Sequence, residues 1–155
     1  MPSITDSVDV VTQYVIDKIK AACVANDIVT TTGVYLGADD VYYGDQDKFP
    51  RSPSVCVDPN NRQRTLQGVS FRTDNNFALY ILVYHAKIQD NQLTRKEVQQ
   101  ISEAIETLLH QDPQLGGNVI HSFCSLNESG YVYRQSTMYR TNRITFEPYS
   151  KTRLR

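Results

Sequence analysis

A chain of 155 residues with 40% apolar content has room for one hydrophobic core and too little length for two. Its 16 basic and 17 acidic residues leave a net charge of -1, so no overall field favours nucleic acid or an anionic membrane as the partner. Cys23, Cys56 and Cys124 form no C-x-x-C pair, and an odd count does not close a disulfide framework, which points to a reducing compartment.

The opening "MPSITDSVDVV" has no basic start followed by an apolar run, so a protein made and kept in the cytoplasm is expected. Ile4, Val8, Val11, Val15, Ile19 and Cys23 recur every three or four positions and predict a first helix. Ser3 is its expected cap, and "AND" at 25–27 its expected end, because Asn26 tolerates the left-handed conformation. The segment Gly37 to Pro53 mixes turn formers, acids and aromatics without apolar periodicity and reads as a long loop. Its acids Asp39, Asp40, Asp45 and Asp47 lack the glycine and the closing glutamate of a calcium loop. They are expected to face solvent or a partner, and no metal site is assigned.

"SVCV" at 54–57 alternates and predicts a strand, "DPNNRQR" reads as a break, and "TLQGVSFR" as a second extended run that ends in a turn at "TDNN". The run from Phe77 to Ala86 is apolar on both faces, with Phe77, Leu79, Ile81 and Val83 on one and Ala78, Tyr80, Leu82 and Tyr84 on the other. A strand covered on both sides is expected. Thr94 and Glu97 fit a capping box at the start of a second helix, whose buried stripe is Val98, Ile101, Ile105, Leu108 and Leu109. Pro113 should stop it by Gln111 or Asp112. Gly116 and Gly117 follow that helix, whereas phosphate-binding glycines precede one, so they are expected to end a helix and turn the chain.

"NVIHSFCSL" and "YVYRQSTMYRTNRITFEPY" read as two strands joined by a turn at "NESG". The Asn127 sequon in that turn is not taken as a glycosylation site. Alternation puts Tyr131, Tyr133 and Tyr139 on one face, with Arg134 and Arg140 on the other; Tyr and Arg together suit a subunit interface. His85, His110 and His121 belong to no ligand or nucleophile motif. A thiol enzyme using Cys56 or Cys124 with a histidine is therefore the weaker alternative, and no catalytic or cofactor residue is assigned. The element order predicts a single α+β domain spanning 1–155, a mostly antiparallel sheet with two helices on one face, a long loop and a C-terminal hairpin.

The landmarks, taken in order, resemble the tail terminator or tail completion proteins of long-tailed bacteriophages. The likeness runs through "FPRSPSVCVDP", "RTLQG", "TDNNFALYILVYHAK", "RKEVQQISEAIETLL", "DPQLGGNVI", "GYVYR" and "RITFEPYSKTRL". It covers nearly the whole chain as a collinear pattern, without a signature motif. The resemblance implies a virion protein without chemistry or cofactor at the junction of tail and neck, present in the host cytoplasm during assembly. It implies a six-membered ring whose partners are further copies of the chain, the tail tube protein, the head or neck connector, and DNA passing through the lumen. A neighbouring neck or head-completion protein is the alternative within that setting. The family fixes no functional residue. Interface candidates come from the residues themselves: Asp39, Asp40, Asp45 and Asp47 against Arg51, Arg62 and Arg64 of the next subunit, together with Tyr80, Tyr84, Arg134, Tyr139 and Arg140. Lys151, Arg153 and Arg155 lie past the expected final strand and read as a partner-binding tail.

Overall fold

The computed structural model describes residues 7–67, 72–86 and 91–153. Helix α1 (Ser7–Val24) is followed by β1 (Val41–Tyr43), β2 (Ser54–Gln67), β3 (Arg72–His85), α2 (Asn91–His110), β4 (His121–Arg134) and β5 (Thr137–Arg153). One five-stranded sheet has the order β1-β2-β3-β5-β4. Only the β1–β2 pair is parallel; the others are antiparallel. The fold is α+β, as the element order predicts.

Both helices cover one face. Val11, Val15, Ile16 and Ile19 of α1 join Val98, Ile101, Ile105 and Leu109 of α2 over Val55, Val57, Phe77, Leu79, Ile81, Val83, Ile144 and Phe146 of the sheet. Val8 packs against this core from α1, while the expected cap Ser3 and stripe residue Ile4 lie outside the described residues. The opposite face has a smaller cluster of Phe49, Cys56, Tyr84 and Tyr139. The two-sided apolar pattern from Phe77 is thus met by helices on one side and, at the Tyr84 end, by the segment carrying Phe49. Asn26, at φ 57°, follows α1 in the left-handed conformation expected of it.

Five local expectations are corrected. The helix α2 starts at Asn91, and Thr94 and Glu97 are buried inside it at 2% and 1% exposure. The capping box fails because the Glu97 carboxylate is held by the ring of His85. Next, "DPNNRQR" is no break: β2 runs through it, with a register shift between Pro59 and Asn61 that absorbs the proline. "TDNN" is likewise paired strand within β3. Then "NESG" lies in β4, and the hairpin turns at Gln135 and Ser136, whose φ angles are 48° and 69°. Positive φ at both central residues matches the right-handed twist of the flanking strands, which a glycine-containing sequence does not by itself guarantee. Finally, the long loop contains β1, an edge strand too short to show periodicity.

The same turn overturns the assignment of faces. Tyr131 pairs with Arg140 and Val132 with Tyr139. Residues paired across a hairpin share a face, so Tyr131, Tyr133 and Arg140 project on the helix side, and Arg134 and Tyr139 on the other. A two-residue turn reverses odd and even positions, which continuous alternation overlooks. The basic tail also proves to be strand: Lys151 pairs with Asp74 and Arg153 with Arg72 in the backbone ladder, while Arg155 lies outside the described residues.

Candidate functional site

Helix α2 stops at His110, ahead of Gly116 and Gly117, which turn the chain towards β4 from within a short 3₁₀ segment, Leu115–Gly117, so the glycines make the turn but do not end the helix. Their φ angles are 65° and 92°. The Gly116 amide donates to Oδ1 of Asp112 at 3.2 Å, and Oδ2 of the same carboxylate accepts from Tyr14 at 2.6 Å and from Lys18 at 3.3 Å. Asp112 therefore fastens the end of α2 to α1, and the Tyr14 hydroxyl holds its carboxyl below the usual range.

A second polar cluster joins three histidine-side elements that the sequence keeps far apart. The Ser52 hydroxyl lies 2.9 Å from His85 Nδ1, His85 Nε2 lies 2.6 Å from Glu97 Oε2, and Thr32 donates to Glu97 Oε1 at 2.9 Å. The order Ser, His, Glu has the outline of a nucleophile with its base and orienter. Its hydrogen bonds argue for a clamp. Ser52 Oγ also accepts from the Ala86 amide at 3.2 Å and lies 3.1 Å from the Ala86 carbonyl. The direction of the Ser52–His85 hydrogen bond depends on which ring nitrogen carries the proton. His85 is thus partnered, contrary to its reading as an isolated residue. Only the buried position of Glu97 explains this, and a capping-box pattern concealed it.

The thiols are screened from such chemistry. Cys56 lies on the face opposite His85, in the aromatic cluster, and burial with the nearby Asp45 pushes it up to about 12. Cys124 shares the helix side with His110, whose Nε2 accepts the Cys124 amide at 3.3 Å; burial and Glu106 push this thiol to about 12 as well. Among the described residues, no three of His, Cys, Asp and Glu converge as metal ligands would, and no helix is long and apolar enough to cross a membrane.

The acidic segment is partly neutralised within its own chain. Asp40 is buried and meets Arg51 at 3.1 Å, so Arg51 has the local partner that the sequence reading denied it. Asp45 accepts from the Tyr84 hydroxyl at 2.9 Å and from Arg134 at 2.7 Å, tying the segment after β1 to the tip of the β4–β5 hairpin. Tyr84 and Tyr139 complete that join as buried rings 6.1 Å apart. Asp39 and Asp47 stay at least partly exposed. On the open face, Arg143 lies over the Tyr80 ring at 4.7 Å and bonds Glu128. The side chains of Arg62, Arg64, Lys151 and Arg153 lie outside the described residues.

Five of the exposed large apolar side chains lie on the β4–β5 hairpin at one edge of the sheet. Phe123, Leu126, Tyr131, Tyr133 and Met138 belong to β4 and the start of β5, with Tyr133 71% exposed. Tyr131 is overlaid by Arg140 at 4.5 Å. Val24, Val29, Tyr35 and Tyr43 are exposed on α1's end, the following loop and β1. The sequence named the Tyr and Arg residues of the hairpin but credited the surface to the wrong members, because Tyr139 and Arg134 are engaged inward. No protein-family model and no curated protein matches the chain.

Proposed function

We propose that this chain is a structural virion protein that assembles into a ring on the end of a phage tail tube, halting tube growth and presenting a surface to the head or neck connector. The reading starts from the collinear resemblance to tail terminator proteins. The observation that carries it furthest is the concentration of large exposed apolar side chains on the β4–β5 hairpin at one edge of the sheet, Tyr131 and Tyr133 foremost. Such patches mark protein contacts more often than they mark a substrate site.

The test is tube polymerisation with and without the purified chain, read as tube length in electron micrographs. Tubes that stop at a uniform length and end in an added ring are expected. Tubes of unaltered length that bear no added density would overturn the reading.

A further inference from the structure

We propose that residues 45–50 form a strap across the outer face of the sheet that lifts as a local event, uncovering Cys56, Tyr84 and Tyr139 while the helix-covered core stays folded. The strap closes on a floor to which every strand contributes: Tyr42 of β1, Cys56 of β2, Leu82 and Tyr84 of β3, Val132 of β4 and Tyr139 of β5. Among residues 45–50, Phe49 alone is buried. Its ring lies 4.7 Å from that of Tyr84 and 5.5 Å from that of Tyr139, whereas Asp45, Asp47, Lys48 and Pro50 around it are exposed. Fixed points flank the strap: Gly44 donates to the Val57 carbonyl at 2.8 Å, Arg51 bonds Asp40 at 3.1 Å, and the Ser52 hydroxyl accepts from the Ala86 amide at 3.2 Å. Between them, among the described residues, no backbone-to-backbone hydrogen bond holds the strap to the sheet.

Two polar contacts hold the strap down, and both end on the Asp45 carboxylate: the Tyr84 hydroxyl donates at 2.9 Å and Arg134 at 2.7 Å. The closed state also carries costs. Nε of Arg134 is buried without an acceptor among the described residues, and a donor left unmade in the interior opposes the arrangement that buries it. Burial and the nearby Asp45 push the Asp58 carboxyl up, a sign that two like charges are brought together on this face. Lifting the strap returns these groups to water. Gly44, at φ 76° and with no atom near the space a Cβ would take, is the hinge at one end. A segment with few backbone bonds, one apolar anchor and a part-exposed ion pair belongs to the low end of local stability, where pieces of a fold open without global unfolding. This opening belongs to the single chain and does not depend on ring assembly.

Cys56 reports the opening, because it is fully buried beneath the strap. The chain is labelled with iodoacetamide at urea concentrations below the unfolding transition, each cysteine is quantified by peptide mass, and rates are divided by those in denaturing urea. Labelling of Cys56 should stay flat over this range, because a local opening exposes little surface, whereas labelling through global unfolding climbs with the full urea slope. Asp45→Ala removes both polar contacts and should raise the flat rate about tenfold. Labelling of Cys23, near the end of α1 in the helix-covered core, should not change. Arg134→Gln, which removes one of the two contacts, should raise the Cys56 rate by a smaller factor and replaces Asp45→Ala if that variant fails to fold. Wild-type Cys56 labelling that follows the global slope, a Cys56 rate that the substitutions leave unchanged, or a rise shared equally by Cys23 would overturn the proposal.

Discussion

Glu97 is 1% exposed and His85 5%, with 2.6 Å between the ring nitrogen and the carboxylate. Removing one partner of such a pair leaves an uncompensated polar group in the interior, which typically costs about 3 to 5 kcal/mol. Glu97→Ala should therefore lower the urea midpoint far more than Glu103→Ala, an exposed position on the same helix. Equal midpoints would mean that the clamp contributes nothing. The thiols make a second prediction. Burial raises Cys23 to about 11 and Cys56 and Cys124 to about 12. Their folded values lie above the unfolded one, so the stability they contribute is whole at neutral pH. It is lost as pH rises from about 9 through about 12, because the unfolded chain ionises first. Stability measured between pH 8 and pH 10.5, both approximate working limits, should fall, and Cys56→Ala should flatten that fall. An unchanged slope in the variant would remove Cys56 as a source.

At the scale of elements, the joint between α2 and β4 depends on a backbone shape that few residues accept. Gly116 has φ 65°, and a Cβ there would sit 2.8 Å from the Tyr14 hydroxyl. Gly117 has φ 92° with open space around it. An alanine in this conformation costs about 1 kcal/mol. Gly116→Ala must also displace Tyr14 from Asp112 and lose that hydrogen bond, for a total of about 2 kcal/mol. Thermal unfolding should place Gly116→Ala roughly 4 to 8 °C below wild type and Gly117→Ala about half as far. The reverse ranking would mean that the Tyr14 contact has no part in the joint.

For the whole molecule, exposed charges stand in local groups, such as Asp39 and Asp47 on one segment and Arg95 and Lys96 on α2, within a chain that is nearly neutral at -1. Local fields of this kind speed encounter and fix register more than they add affinity. Exposed charges are screened beyond about 8 Å at physiological ionic strength. Subunit association followed by light scattering should therefore slow as salt rises, roughly tenfold from low to high ionic strength, while the final particle mass stays the same. A rate independent of salt would leave apolar contacts as the guide of assembly.

The sequence by itself determined the fold class, most of both core stripes and the turn at the glycine pair. Those depend on local periodicity and backbone preference, which Val98, Ile101 and Ile105 or Gly116 and Gly117 express without help from distant residues. Tertiary structure decided what depended on pairing. The turn at Gln135 and Ser136, rather than at "NESG", set which of Tyr131, Tyr139, Arg134 and Arg140 share a face. A shift of register by one residue exchanges the two sides of a strand, and no local preference reports it. Asp40 with Arg51, Asp45 with Arg134, and His85 with Ser52 and Glu97 were likewise beyond sequence reading. A charge shows its sign in the sequence, but whether it is neutralised depends on which elements the fold brings within hydrogen-bond reach.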